Sequence, residues 1–545
     1  MSLEQLYEKN CATRDQVYQY GTAGFRTDAA ILDSVMFTTG IIATLRSISC
    51  GCKSIGVMIT ASHNPPKDNG VKIVETDGSM LQQSWEPLAT KLANSVSSFE
   101  VFTQALDEIM QDLKISKDGD YSAKIVVGHD SRESSPRLLS NLLDGVKALF
   151  PNTKITNHGL LTTPQLHFLT ANDTYFEDYY YKYFLTAWNE LFGLYNIDSF
   201  TAFKTLSIDC ANGIGGPQFL KMLCYSHEEF SHLQKIRLGQ VDIINNSWLD
   251  PSKLNYGCGA DFVKTNQKLP ESINANPETL YCSFDGDADR VVFYYVDGGN
   301  KFHLLDGDKI STLFAYFLNN LLKESKLTDK LKLGVVQTAY ANGSSTNYLN
   351  NTLKIPVSIA KTGVKHLHHE AVTNYDIGVY FEANGHGTVL FSNHFYDVID
   401  SELAKNKQDK SIQTLKLFSQ LINQTIGDAI TDMIGIIAIL SIQEWSPATW
   451  DKEYTDLPNK LTKAIVPDRS VFVTTDQERR LVSPEGLQDK IDALVAKCPR
   501  GRSFIRASGT EDAVRIYAEA ETPEATEELS KNVTAALAET VSSKN

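Results

Sequence analysis

Short apolar runs rich in β-branched residues recur along this chain, each leading into a turn-forming segment: 54–60, 124–128, 206–209, 280–284, 333–336 and 378–381. Between several of them the apolar spacing changes to the helical i, i+3, i+4 pattern. The best run follows Asp308, with Ile310, Leu313, Phe314, Phe317, Leu318 and Leu321 on one face. Strands that alternate with helices in this way predict α/β units. At 545 residues the chain is too long for a single core, so several such units are expected.

The last hundred residues read differently. Val514, Ile516 and Ala518 alternate with Arg515, Tyr517 and Glu519, which predicts a half-buried strand. Thr522-Pro523 then opens a helix, with proline at its first position. The fold class expected is therefore α/β, with three mixed α/β domains followed by a smaller α+β domain. Breaks near Asp173 and Gly298, and a polar linker at 445–454, give ranges of 1–173, 174–298, 299–442 and 443–545. No internal sequence repeat is evident.

A net charge of −15 argues against a dedicated nucleic-acid binder, because a phosphate backbone calls for a basic footprint. It leaves room for a small anionic substrate held by a few arginines. The eight cysteines are scattered. Only Cys50 and Cys52 are closely spaced, and no second pair completes a zinc site. Reduced thiols, an N-terminus without a signal-peptide pattern and a longest oily run of only 433–442 predict a cytoplasmic protein without a membrane span.

The segment Thr60-Ala61-Ser62-His63-Asn64-Pro65-Pro66-Lys67-Asp68-Asn69-Gly70-Val71-Lys72 lies between two apolar runs. Two prolines stiffen it and Asn69-Gly70 supplies a tight turn. Such a loop can hold one reactive side chain in a single geometry. Ser62 could carry a phosphoryl group, with Lys72 near enough to offset its charge. Taken alone, the loop is better read as an ordinary polar turn, since the Gly-x-Ser-x-Gly elbow is missing.

Asp285-Gly286-Asp287-Ala288-Asp289-Arg290 is more pointed, because oily segments flank it on both sides. Carboxylates at i, i+2 and i+4 repel one another unless a cation joins them. Hard oxygen donors suit Mg²⁺ or Ca²⁺. An EF-hand is excluded, because Arg290 and Val296 stand where it needs Gly and Glu. Mg²⁺ commonly completes its shell with a phosphate oxygen, which implies a phosphoryl partner.

Glu382-Ala383-Asn384-Gly385-His386-Gly387 concentrates hydroxyl-binding groups in a turn, and His386 could move a proton near neutral pH. Arg506-Ala507-Ser508-Gly509-Thr510-Glu511, with Arg515 beyond it, could cradle an anion. A polar hairpin and a salt-bridged surface turn are the bland alternatives for these two. Tyr20–Arg26 is a Gly-rich turn ending in arginine. Asp209–Gly215 lacks dinucleotide-fingerprint spacing and predicts a rigid strand-to-helix turn. His366, His368 and His369 are expected to be hydrogen-bonding or solvated rather than metal ligands.

In this order the serine, aspartate, sugar and phosphate loops resemble those of the α-D-phosphohexomutase family. The turn at 21–26 and Gly128-His129-Asp130-Ser131-Arg132 fit as well. The resemblance implies four domains around a central cleft, a phosphorylated Ser62, and one Mg²⁺ held by Asp285, Asp287, Asp289 and the Ser62 phosphate. It implies a catalytic group of Ser62, His63, Lys72, Arg26 and His386, with the proton acceptor open among His386, Lys72 and His63. Substrate would be bound by Arg290, Gly363, Glu382, Asn384, Gly385, His386, Arg506, Ser508, Gly509, Thr510 and Arg515.

Two positions depart from most hexose members, Asn384 for Ser and Ala288 for Gly. Asn384 is similar to the eukaryotic branch acting on N-acetylglucosamine phosphates, which supply UDP-N-acetylglucosamine synthesis. Glucose and mannose phosphates rank behind. The implied reaction is isomerisation through a sugar 1,6-bisphosphate intermediate, which also serves as activator. The implied partners are a small phosphosugar only, in a monomer or weak oligomer. A metal-dependent phosphatase and a non-catalytic sugar-phosphate sensor are the rivals.

Overall fold

The computed structural model describes residues 1–12, 16–21, 24–174, 176–197, 203–229, 240–508 and 512–542. These group into two compact units. The first is 1–306 with 384–389 and 413–447; the second is 307–383 with 390–412 and 448–545.

Two five-stranded sheets organise the first unit. One contains β1 (Phe25–Asp28), β2 (Ser54–Ile59), β3 (Asp68–Val74), β4 (Lys124–His129) and β5 (Lys154–Leu160), in the order β1-β3-β2-β4-β5. The other contains β6 (Thr205–Asp209), β7 (Gln240–Ile244), β8 (Thr279–Phe284), β9 (Val291–Val296) and β10 (Phe302–Leu305), in the order β10-β9-β8-β6-β7. Both follow one spatial plan. Three strands run parallel (β2, β4, β5 and β8, β6, β7), and two antiparallel strands extend the sheet beyond the first of them. The serine loop joins β2 to β3, and the aspartate loop joins β8 to β9, so each leaves its sheet at the same place. β2, β8 and β9 are buried along their whole length, as expected for strands covered on both faces. This shared plan is invisible as a sequence repeat because the chain visits the strands in a different order.

The second unit carries β11 (Leu333–Thr338), β12 (Val357–Ala360), β13 (Ile377–Phe381) and the end of β14 (Gly387–Phe391), in the order β12-β11-β13-β14. It also carries a hairpin of β16 (Val473–Thr475) and β17 (Arg480–Ser483). A three-stranded antiparallel sheet completes it: β15 (Asn459–Ile465), β19 (Ala513–Glu519) and β18 (Arg502–Ala507), with β19 central. The helix Gly307–Glu324 buries the six apolar residues read from its periodicity. The helix Pro523–Ser542 begins at the expected proline.

One expectation is corrected. The strand at 514–518 is buried on both faces except at Arg515, which keeps partial exposure, and is not half-buried. Val514, Ile516 and Ala518 pack under Leu529 and Val533. On the other face Tyr517 stacks on Phe504 at 5.2 Å and meets Tyr340 edge-on at 5.9 Å, while Glu519 accepts from Arg502 Nε at 3.0 Å. Aromatic and paired charged groups can fill a buried face that alternation assigns to solvent. The expected linker at 445–454 contains the point, 447/448, where the chain passes from the first unit to the second, and its second part is packed. Trp450 is fully buried and donates Nε1–H to the Lys309 carbonyl at 3.2 Å. Lys309 Nζ donates to the Asp451 carbonyl at 2.8 Å and lies 4.0 Å over the Tyr454 ring.

The oily run 433–442 forms most of the buried helix Ala429–Gln443. No helix among the described residues is long and apolar enough to cross a membrane.

Candidate active site

Ser62 sits at the end of β2 with its side chain enclosed and its backbone in the left-handed region, at φ +52°. That conformation costs a non-glycine residue roughly 1–2 kcal/mol, so surrounding contacts must impose it. They do so from both sides of the residue. Ser62 N–H donates to Thr60 Oγ1 at 2.9 Å, and Thr60 Oγ1 in turn donates to Asp130 at 2.8 Å. Arg132, fully buried, donates Nε–H to Asp130 at 3.0 Å. Its two terminal nitrogens reach the carbonyls of Ser62 (2.9 Å), Asn64 (2.9 Å), Pro65 (2.6 Å) and Asp68 (2.7 Å).

The two motif loops of this unit meet directly. Ser62 Oγ donates to Asp285 Oδ2 at 2.6 Å. Their approach depends on Gly286, where a Cβ would lie 2.6 Å from the Ser62 carbonyl oxygen. Asp285 Oδ1 accepts from the backbone N–H groups of Asp289 (3.1 Å) and Arg290 (3.2 Å), which folds the loop around that carboxylate. Ala288 takes φ +57°, a conformation that favours glycine. Behind the loop, the 209–215 turn forms the predicted strand-to-helix connection. Ile214 N–H donates to the Gly286 carbonyl at 3.0 Å.

One carboxylate oxygen from each of Asp285, Asp287 and Asp289 lies within 4.8 Å of the other two, all buried. Asp287 Oδ2 accepts from Thr163 Oγ1 at 2.6 Å, while its Oδ1 is buried without a hydrogen-bond partner. Burial, then the charges of Asp289 and Asp287, push the Asp285 carboxyl well above its ordinary pKa. Asp289 is held well below its own despite burial, through His386 and Lys72. Three hard oxygen donors, one of them orphaned, fit a Mg²⁺ ion. Among the described residues no other group of three His, Cys, Asp or Glu side chains could hold a metal ion.

Basic groups surround the cluster. Lys72 Nζ is 3.4 Å from Asp287 and 3.3 Å from Asp289, Arg290 Nε is 3.7 Å from Asp285 and Asp289, and His386 Nδ1 is 3.1 Å from Asp289 Oδ1. Arg26 donates to Asn64 Oδ1 at 3.3 Å and its buried Nε has no partner. Burial and the neighbouring Arg290 lower the Arg26 pKa. Arg290, burial and Arg26 together push His63 down to about 2. Cations crowded closely enough to repel one another describe a place prepared for an anion. Gly385, at φ +88°, accepts from Val291 N–H at 3.1 Å, and Asn384 Oδ1 accepts from His386 N–H at 3.0 Å. These contacts bring the 384–386 turn against the aspartate loop.

The remaining sequence-selected residues lie in the second unit. Gly363 N–H donates to Glu382 Oε1 at 3.2 Å. Across the antiparallel sheet Lys463, Arg515 and Arg506 stand directly opposite one another in a row of three cations, an arrangement that an anion would relieve. Arg506 Nε donates to Glu478 at 2.8 Å, and Glu478 also accepts from Thr362 N–H (2.9 Å) and Oγ1 (2.6 Å). Ser508 N–H donates to the Ala513 carbonyl at 2.8 Å. Gly509, Thr510 and Glu511, like Thr22 and Ala23 of the opening turn, lie outside the described residues. The histidine-rich helix Val364–Asn374 places His368 Nδ1 3.2 Å from the Tyr380 hydroxyl, a hydrogen bond as expected.

Thr163, Asn255 and Glu478 escaped the sequence reading. Each is a single polar residue in an unremarkable local context, joined to a motif only through the fold.

Comparison with known proteins agrees with this geometry. Family models match in four segments: phosphoglucomutase/phosphomannomutase α/β/α domain I over residues 27–100, phosphoacetylglucosamine mutase AMG1 domain II over 170–292 and domain III over 306–445, and the phosphoglucomutase/phosphomannomutase C-terminal domain over 461–536. The phosphoacetylglucosamine mutase of Saccharomyces cerevisiae is 56% identical over 533 residues, covering 94% of each chain. A crystal structure of an N-acetylglucosamine-phosphate mutase in its substrate complex superposes with a TM-score of 0.91 at 49% identity, covering 98% of this chain and 100% of that one. The Aspergillus fumigatus N-acetylphosphoglucosamine mutase, solved with GlcNAc-6P and magnesium, gives a TM-score of 0.89 at 40% identity over 99% of both chains. This chain, with a serine seated on a buried aspartate triad and matches to such relatives over 94–99% of its length, belongs to the phosphoacetylglucosamine mutase family of the α-D-phosphohexomutases.

Proposed function

We propose that this protein interconverts N-acetylglucosamine 6-phosphate and N-acetylglucosamine 1-phosphate, with Ser62 carrying the phosphoryl group. The observation that carries the reading is the 2.6 Å contact between Ser62 Oγ and the aspartate cluster. Phosphoryl transfer asks little covalent chemistry of a protein and a great deal of positioning and charge compensation, which is what surrounds Ser62. Asp285, Asp287 and Asp289 would hold Mg²⁺, which when bound supplies positive charge to the phosphoryl oxygens.

From phosphorylated Ser62, the bond between Oγ and phosphorus breaks as a free sugar hydroxyl bonds to that phosphorus. Arg26, Lys72 and Arg290 hold the charge that spreads over the phosphoryl oxygens. The proton leaving the hydroxyl goes to His386 Nε2, a buried nitrogen without a partner on a ring whose Nδ1 faces Asp289. His63, pushed so far down by its cationic neighbours, is the weaker acceptor. The sugar 1,6-bisphosphate then presents its other phosphate, and the reverse step restores the phosphoserine.

Glu382, Asn384, Gly385 and Gly363 are assigned to the sugar. Arg506, Ser508, Gly509, Thr510 and Arg515 are assigned to the phosphate that is not reacting. The matched domain segments support four functional parts, 1–173, 174–298, 299–442 and 443–545, each bearing one loop.

Supplied with Mg²⁺ and a trace of sugar 1,6-bisphosphate, the protein is expected to isomerise N-acetylglucosamine 6-phosphate faster than glucose or mannose 6-phosphate. Inorganic phosphate released in step with substrate loss would identify a phosphatase instead. Arg515→Ala is expected to raise KM about tenfold or more, the scale of a lost charge-assisted hydrogen bond, with kcat little changed. An unaltered KM would remove Arg515 from the phosphate clamp.

A further inference from the structure

Asn255 lies outside every motif, in the turn after the short helix Pro251–Lys253, yet it reaches across to the serine loop. Its Nδ2 donates to the Ser62 carbonyl at 2.9 Å and to the Asn64 carbonyl at 3.3 Å. Its own backbone N–H donates to the Ala211 carbonyl at 2.8 Å. Ala211 belongs to the 209–215 turn, which is bonded to the aspartate loop at Gly286 through Ile214. A Cβ on Gly213 in that same turn would lie 2.4 Å from the Gly286 carbonyl oxygen, so the two backbones are in contact.

Asn255 therefore ties the carbonyl of the phosphate-carrying residue to the frame that carries the carboxylates. The other donor to that carbonyl, Arg132, is bound to Asp130 at the end of β4 and belongs to the first sheet. Among the described residues, the Ser62 carbonyl thus receives one side-chain donor from each side of the junction between the two loops. Ser62 needs such control. Its left-handed backbone must be imposed from outside, and a small rotation of the 62–63 peptide would swing Oγ away from Asp285.

We infer that Asn255 is a positioning residue, setting the register of the serine loop against the carboxylate loop through the Ser62 carbonyl. This rests on the reading of Ser62 as the phosphoryl carrier. Asn255 itself has φ +57°, a conformation that Asn and Gly tolerate best. Asn255→Gly thus deletes the donor while leaving the turn unstrained. Asn255→Asp keeps the shape but faces two carbonyls with an acceptor.

The test is the rate at which sugar 1,6-bisphosphate places a phosphate on Ser62, followed by intact mass in a single turnover, with thermal unfolding and KM measured in parallel. Expected for Asn255→Gly is a rate at least about tenfold slower, with KM changed less than about threefold and an unfolding temperature close to wild type, since misplacement rather than lost binding slows the step. Asn255→Asp should be slower still. Wild-type phosphorylation rates in Asn255→Gly would overturn the inference. So would a slowing matched by lost thermal stability, which marks a merely structural residue. If the wild-type protein takes no phosphate on Ser62, the functional reading fails and this inference with it.

Discussion

Replacing Ser62 with alanine should lower kcat by about 10⁴-fold or more while leaving the protein folded, because the variant loses the oxygen proposed to carry the transferred group. A loss of that size corresponds to about 5 kcal/mol of transition-state stabilisation. Stability should barely respond. The contacts that impose the left-handed backbone use Ser62 N–H and its carbonyl, not its hydroxyl, and they survive the change. What is lost is one hydrogen bond to Asp285, worth about 1.5–3 kcal/mol when the partner is charged, which in a chain this long is a shift of only a few degrees. The measurements are isomerisation kinetics, intact mass after exposure to sugar 1,6-bisphosphate, and thermal unfolding. Expected are negligible turnover, no added phosphate, and an unfolding temperature within a few degrees of wild type. A variant that still isomerises at an appreciable rate would put the phosphoryl group on another side chain.

The reasons Ser62 could be read from the sequence, and its supports could not, are physical. Carboxylates at 285, 287 and 289 are legible because their chemistry is local: three charges within five residues, between oily strands, have few solutions other than a cation. Ser62 was legible because prolines and Asn-Gly announce a stiff turn, although a polar turn without chemistry fitted those residues better when taken alone. Thr163 and Asn255 matter only through partners 124 and 193 positions away, at Asp287 and Ser62, and no local pattern encodes such a separation. Arg132 stood in a recognisable segment, yet its grip on four loop carbonyls follows from the parallel pairing of β2 with β4. The same limit misled the reading of the strand around Arg515. Alternation there suggested one exposed face, whereas Tyr517 and Glu519 are buried with their polar atoms partnered. Composition reports what a residue can tolerate; which neighbours it meets is decided by topology.

Asp287→Asn should separate catalysis from stability, lowering kcat by about 10³-fold, the several kcal/mol that metal-ion charge stabilisation supplies, while making the metal-free protein more stable. The stability gain follows from the electrostatics of the triad. Burial and two neighbouring carboxylates raise the Asp285 pKa in the folded state above its unfolded value. For such a group the favourable contribution is fully present below the unfolded pKa, near 4, and is lost as pH rises through the folded one. At neutral pH the metal-free wild type therefore retains a strained cluster that Lys72 and Arg290 only partly offset. The Asp287→Asn change removes one of the charges acting on Asp285, and the new amide oxygen still offers Thr163 Oγ1 an acceptor in place of Asp287 Oδ2. An increase of about 1 kcal/mol, or roughly 1 °C in unfolding temperature for a chain of 545 residues, is expected without metal. Added Mg²⁺ should reverse the ranking. At a hundred times its Kd it stabilises the wild type by about 2.7 kcal/mol, and the variant, with a weakened site, responds far less. Unfolding curves at pH 5 and pH 8, with chelator or with Mg²⁺, measure all of these effects, and the metal-free advantage of the variant should be larger at pH 8. A wild-type unfolding temperature indifferent to Mg²⁺ would mean that the three carboxylates do not form a cation site, and that their closeness to Ser62 requires another explanation.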